Sequence, residues 1–420
     1  MVHVDNNLSP VLVLDSGNYQ ALGILRSLGR LGIPVYTANP DQRGSAFLSR
    51  YCTRNFVCNI NESNKRSVRD LLDIGSKIGR SSILIPTTDG SAIFVADHAD
   101  VLRERFVFPN QNPRLVNSLC SKKEMHYLAR NFGVPTPEAA FPQCREDILS
   151  FLESANFPIM LKAILDLPPK RSGKSKFIVH TKRELLKRYD EMEDPKEPNL
   201  MLQEYIPGAE DSGWIFHGYF NEFSDCLVGF TGKKIRQWPV YHGMTSLGIC
   251  LRNEIIEKIS KEFMKVIGYR GIVDIDYRYD GRDGRYKVLD INPRIGATNR
   301  LFVADNGMDV ARALYFDMTR QPVSSRFAPD GRKWFAENLD LASSFTYWLD
   351  GTLSLRQWLD SYRDVREAAY FALDDPLPSL HMFVRLIGRL FRRIQNPGPY
   401  TNRRPSNGRR VKGSQITGRS

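Results

Sequence analysis

The sequence predicts an α/β protein organised as α+β lobes: an open parallel N-terminal domain, a two-lobed middle and a helical C-terminal extension. Three observations predict this. A β-α-β pattern opens the chain, an acid-bearing strand–turn–strand hairpin lies at 273–292, and helical spacing returns after residue 330.

The N-terminal unit begins with the apolar run Val11–Leu14, followed by Asp15-Ser16-Gly17-Asn18. Ala21, Leu22, Ile24, Leu25, Leu28 and Leu31 then recur at helical spacing, Gly32 ends the helix, and residues 33–37 read as a second strand. A strand at 82–85, a helix over 91–104 and a short strand at 106–108 complete an open parallel lobe at 1–118. G-x-G-x-x-G is absent after the first strand, where only Gly17 and Gly23 stand, so a dinucleotide fold lacks its fingerprint. Gly17, Asn18 and Thr87 to Asp89 either line a cleft at the strand ends or are ordinary turn residues.

Residues 119–200 read as a small lobe. It has a helix at 121–132 capped by Ser121, a strand at 159–163, a basic loop at 168–176 and a strand at 177–180. Residues 201–320 read as a larger lobe, with a strand at 201–205, alternating strands over 214–235, an amphipathic helix at 253–267 and the hairpin. Residues 321–394 form a mostly helical extension with pieces at 347–358 and 364–372. Residues 395–420, rich in Pro, Gly, Ser, Asn and Arg, read as a basic disordered tail.

With 42 % hydrophobic and 25 % charged residues, the chain has globular composition, and no stretch reaches membrane-spanning length. The N-terminus lacks a secretory pattern, and six scattered cysteines without C-x-x-C spacing fit a reducing cytoplasm. The net charge is +12, yet residues 385–420 hold ten Lys or Arg and no Asp or Glu. Subtracting these leaves +2 for the rest, so the folded body carries no nucleic-acid footprint.

The chemistry concentrates in the hairpin. Asp274 and Asp276 share a strand face, and pairing brings Asp276 beside Asp290, with Asn292 just beyond and Arg294 following. Either a hard dication relieves the repulsion between the carboxylates, or the acids are solvated or paired with Arg278, Arg285 and Lys287.

Asp276-x13-Asp290-x-Asn292-Pro293-Arg294 resembles the metal-binding signature of the ATP-grasp superfamily. Upstream motifs stand in the order that family shows: Ser121-Lys122 before Gly133-Val134-Pro135-Thr136-Pro137, then Phe157 to Lys162, then Gln203-Glu204-Tyr205-Ile206-Pro207-Gly208. The resemblance covers residues 11–318 and is to carboxylate–amine ligases of the D-aspartate ligase and carbamoyl-phosphate synthase large-subunit type. It implies an N-terminal pre-ATP-grasp domain and a two-lobed ATP cleft. Lys122 and Lys162 would neutralise ATP phosphates, and Glu204 and Ile206 would meet adenine through their backbones, with Gln203 beside them. Glu210 would take the ribose hydroxyls. Asp276, Asp290 and Asn292 would hold Mg2+, with Mn2+ the alternative, and Arg294 would stabilise the transferred phosphoryl group.

Two departures stand out. Aspartate occupies 276 and 290 where glutamate is commoner, and the loop Lys170 to Lys176 is cationic rather than glycine-rich. Pro168 stands where a Walker A glycine would be required, so that loop is not a P-loop. Within Lys233 to Thr245, Arg236 is the first candidate to receive an acid substrate or the γ-phosphate, ahead of His242. The alternative is that Trp238 packs and the cations are solvated.

The implied activity is ADP-forming ligation of a small carboxylate to an amine through an acyl phosphate. The chain shows one ATP-grasp unit, no glutaminase triad and no biotin-attachment motif. The alternative is an ATP-binding regulatory or accessory protein that keeps the fold without ligation. A homo-oligomer is expected. Leu380, Phe383, Val384, Ile387, Leu390, Phe391 and Ile394 share a helical face opposite Arg385, Arg389, Arg392 and Arg393. That helix either docks on protein or lies on an anionic membrane surface.

Overall fold

The computed structural model describes residues 4–395 apart from 16, 18, 42, 43, 61–64, 165–175, 195, 197, 209–211, 242 and 325–327. Strand β1 (Val11–Leu14) is buried at all four positions, as a strand covered on both faces must be. Helix Tyr19–Gly29 follows, then β2 (Val35–Asn39), β3 (Cys52–Val57), β4 (Ser82–Pro86) and β5 (Phe106–Val107). They pair in parallel in the order β3-β2-β1-β4-β5. The opening β-α-β unit is therefore present, with β2 two residues later than expected and with β3 and helix Lys65–Ile78 as additional elements. The helix expected over 91–104 is two, Asp89–Asp97 and Ala99–Leu102, interrupted at His98, whose Nδ1 lies 3.0 Å from the Phe94 carbonyl.

The small lobe is a four-stranded sheet of β6 (Ala139–Ala140), β7 (Ile159–Ala163), β8 (Lys176–Val179) and β9 (Leu200–Glu204), ordered β6-β9-β7-β8. Ile148, Leu161, Leu185, Tyr189 and Leu202 form its own core beneath helices Arg145–Ser154 and Lys182–Met192.

The large lobe holds β10 (Gly213–Phe220), β11 (Cys226–Trp238), β12 (Met244–Cys250), β13 (Gly271–Asp280), β14 (Arg285–Asn292), β15 (Lys333–Phe335) and β16 (Val365–Ala368). They form one sheet in the order β14-β13-β10-β11-β12-β15-β16. Strand alternation divides its side chains between two cores. Phe216, Phe220, Val273, Ile275 and Tyr277 pack on helix Glu254–Val266. Ile215, Tyr219, Val228 and Phe230 join helix Val310–Met318 and the first helix, Tyr19–Gly29, so the N-terminal and large lobes share one core.

The extension departs from expectation at 364–372, which is not helical. Val365–Ala368 is a strand pairing in parallel with β15. Its helix-forming residues are overruled because Glu367 is claimed by Arg300 at 2.9 Å and Arg332 at 2.8 Å. The helical piece at 347–358 is the junction of helices Glu337–Leu349 and Leu355–Ser361, separated where Gly351 takes φ +74°. The extension returns to the N-terminal lobe through two ion pairs, one buried and one exposed. Arg26 donates to Asp375 at 3.0 Å and to the Tyr370 carbonyl at 2.6 Å, and Arg30 donates to Asp374 at 2.9 Å. Helix Leu377–Gln395 ends the described chain, and residues 396–420 lie outside the described residues. Among the described residues, no helix is long and apolar enough to cross a membrane.

Candidate active site

A cleft of about 570 Å3 opens between the small lobe and the acidic hairpin, within the size range of small-molecule sites. Lys122, Lys162, Gln203, Glu204, Ile206, Asp276 and Asp290 line it. Lys122 stands at the first position of helix Lys122–Asn131, capped by Ser121 as expected, and its Nζ donates to the Ile164 carbonyl at 3.2 Å. Lys162 projects from β7 and donates to Gln203 Oε1 on β9 at 3.0 Å, because residues 160 and 203 are cross-strand partners and Lys162 lies one pleat on. Lys176, at the start of β8, adds a third cation to the lining, whereas the rest of the loop 168–176 lies outside the described residues.

The hinge after β9 is held by Arg278, which donates to the Ile206 carbonyl at 2.8 Å and lies over the Tyr205 ring at 5.4 Å. The Glu204 amide donates to the Glu138 carbonyl at 2.8 Å, and its carboxylate pairs with Arg282 at 2.7 Å. Ile206 is buried in the cleft lining, and its amide has no hydrogen-bond acceptor among the described residues. Glu210 lies outside the described residues.

On the hairpin the expected register is present: Asp276 pairs with Asp290 and Asp274 with Asn292. Burial raises the Asp290 carboxyl above its ordinary range, opposed by Lys162 and reinforced by Asp276. Asp274 is buried, its Oδ1 lacks a partner among the described residues, and desolvation followed by Asp276 pushes its pKa up to about 7. A Cβ on Gly296 would fall 2.4 Å from the Asp274 Cγ, so only glycine lets the chain pass there. Arg294 donates to Asp89 at 2.8 Å and to Asn292 Oδ1 at 2.9 Å, which fixes its guanidinium at the hairpin's end.

The acids, the amide and the cations fit a Mg2+–nucleotide pair. Among the described residues there is no group of three or more His, Cys, Asp or Glu able to hold a metal. Mg2+ needs no such cage, because it is bound by one or two carboxylates and completes its shell with phosphate oxygens and water. Asp276 and Asp290, in register on the hairpin with Asp290 unfavourably buried, are a donor set of that kind.

The raised Asp274 pKa has a consequence for the metal-free protein. A folded pKa near 7, above the unfolded value of about 4, means that its contribution to stability is full at low pH and lost as pH rises through 7. Asp274→Asn removes this loss. Its stability advantage over the wild type is expected to grow by on the order of 2 kcal/mol between pH 5 and 8, read from urea midpoints in chelator.

Arg236 corrects the sequence reading, because it does not line the cleft. A register shift in β11 between Lys234 and Gln237 breaks the period-two alternation. Lys234 and Gln237 therefore face the cleft, and Lys234 Nζ sits 2.8 Å from Asp276 Oδ1. Arg236 turns into the protein, where it grips Asp340 bidentately at 2.8 and 2.7 Å and donates to Ser361 at 2.8 Å. His242 lies outside the described residues, as does Asn18. Of the N-terminal turn, Thr88 caps helix Asp89–Asp97 and Thr87 bonds the Leu14 carbonyl, while Asp89 lines the cleft. Lys234 and Arg278 are thus the residues that the structure adds to the site, while Asp89, one of the turn residues read from the sequence as lining a cleft, does line it.

No protein-family profile matches the chain. A D-aspartate ligase of Enterococcus faecium is 28 % identical over 244 residues, which are 55 % of this chain and 57 % of that protein; the match thus spans little more than half of its relative. Among solved structures, N5-carboxyaminoimidazole synthetase of Staphylococcus aureus complexed with ADP superposes with a TM-score of 0.60 at 11 % identity, covering 78 % of this chain and 82 % of that one. The biotin carboxylase domain of the Hydrogenobacter thermophilus 2-oxoglutarate carboxylase, with MgADP and bicarbonate, gives 0.58 at 14 % identity, over 76 % and 72 %. The chain has the ATP-grasp fold. An L-amino acid ligase of Bacillus licheniformis shares it with a TM-score of 0.55 at 14 % identity, over 74 % and 75 %. In that fold, β6 to β9 form the small lobe, β10 to β14 carry the large lobe, and the cleft lies between them.

Proposed function

We propose that the protein is an ATP- and Mg2+-dependent, ADP-forming ligase that activates a small carboxylate as an acyl phosphate for attack by an amine. The observation that carries this reading is the meeting of Lys122, Lys162, Asp276 and Asp290 in one cleft lined also by Ile206, whose amide has no acceptor among the described residues. That amide, with the backbone at Glu204, would grip adenine, and Gln203 would keep Lys162 aimed at the phosphates. Lys122, Lys162 and Lys176 would balance triphosphate charge as point charges. Asp276, Asp290 and Asn292 would hold Mg2+, which supplies charge neutralisation between the phosphates. Arg294, braced by Asp89 and Asn292, would stabilise the phosphoryl group in transfer and then the acyl phosphate. The lobes would exclude water from that reactive intermediate. The likeness to D-aspartate ligase supports a small amino or carboxylic acid as substrate.

One observation favours the second reading, an ATP-binding regulatory protein: Lys234 already neutralises Asp276 at 2.8 Å. ADP release over a library of amino acids and small acids decides between them. Release with at least one acid–amine pair is expected. Tight Mg-ATP binding with no release for any pair would leave only the regulatory reading.

A further inference from the structure

We propose that the exposed apolar face of helix Leu377–Gln395 is a docking surface for an anionic lipid bilayer. Leu377, Leu380, Phe383, Val384 and Ile387 recur at spacings of three, three, one and three and are all exposed, Leu380 at 60 % and Val384 at 61 %. The helix is not free to turn this face inward. Met382 and Ser379 are buried against the body, and His381 Nδ1 lies 3.1 Å from Ser45 Oγ. Phe371 and Leu373 continue the apolar surface into the preceding loop, where Leu373 is 89 % exposed. The two acids of that loop are each held by an arginine: Asp374 by Arg30, Asp375 by Arg26.

Charge selects the occupant. From Arg385 to Ser420 the chain carries ten Lys or Arg and no Asp or Glu. A surface that covers this region must therefore be apolar within and negatively charged at its boundary. A bilayer containing anionic lipid supplies both, with the helix lying in the plane of the headgroups. A nucleic acid would satisfy the cations and leave the leucines in water, and a second copy of the chain would bring the same ten cations against themselves. Membrane docking does not depend on the ligase reading.

The test is co-sedimentation of the full-length protein with vesicles of phosphatidylglycerol and phosphatidylcholine, against vesicles of phosphatidylcholine alone. The double variant Leu380→Glu, Val384→Glu replaces two exposed side chains, and an unchanged melting curve verifies its fold. Binding to the anionic vesicles is expected to exceed binding to the neutral ones by at least about tenfold, to weaken with added salt, and to be lost in the double variant. Equal recovery on both vesicle types, or undiminished binding by the double variant, overturns the proposal. So does a dimer, seen by light scattering without lipid, that the same two substitutions dissociate.

Discussion

Asp290→Asn is expected to lower ADP formation by roughly 10^3-fold while the chain stays folded. Asp290 stands in cross-strand register with Asp276, and both side chains enter the cleft beside Lys122 and Lys162. An amide keeps the shape of the carboxylate and removes its charge, so under the proposed role Mg2+ would lose a charged ligand and the phosphates their link to the hairpin. Burial already disfavours ionised Asp290 in the metal-free state, so the neutral side chain costs no stability there. Two measurements separate the site from the fold. The melting temperature without nucleotide should be equal or higher, and the rise produced by Mg-ATP should disappear. Turnover within a factor of a few of wild type would remove Asp290 from the metal site.

Arg236→Met is expected to destabilise the protein by about 3–5 kcal/mol, the usual cost of stranding one member of a buried ion pair. Asp340 is fully buried and accepts from Arg236, from Ser246 at 3.1 Å and from Tyr362 at 2.5 Å. Without the guanidinium its carboxylate keeps only neutral hydroxyl donors, from Ser246, Tyr362, Ser343 and Ser344. The network joins β11 and β12 to helix Glu337–Leu349, so its failure loosens the C-terminal extension from the sheet. Urea unfolding should show the loss directly. A variant of full stability with a raised KM for an acid would restore the substrate-binding role suggested by the sequence.

Much of the cleft was legible because its signals are local. Asp276 and Asp290 flank a short turn, and a one-residue bulge between Asp276 and Tyr277 brings them opposite each other, while alternation alone puts Asp274 on the same face as Asp276. Lys122 and Lys162 were readable from the family's motifs and from their place at a helix start and a strand end. Arg236 was misread because a one-residue irregularity in β11 reverses alternation, and no local residue pattern marks it. Lys234, three positions before Gln237, inherits the cleft for the same reason. Residues 364–372 read as helix on propensity. Their strand depends on arginines at 300 and 332, far away in the chain, meeting Glu367, which no local pattern displays. Arg278 was read only as a partner for the hairpin's acids; its grip on the hinge carbonyl at Ile206 needs the distance that only folding supplies.

The pairing of Arg26 with Asp375 imposes an order on biosynthesis. The arginine sits in the first helix, and its carboxylate partner is made 349 residues later. A nascent chain emerging from the ribosome can assemble the parallel N-terminal sheet early, yet it must carry an unpaired cation in that lobe until the last part of the extension arrives. Arg30 waits for Asp374 in the same way, and Arg300 and Arg332 for Glu367. The N-terminal lobe is therefore braced by ion pairs whose acidic halves are made long after its own strands.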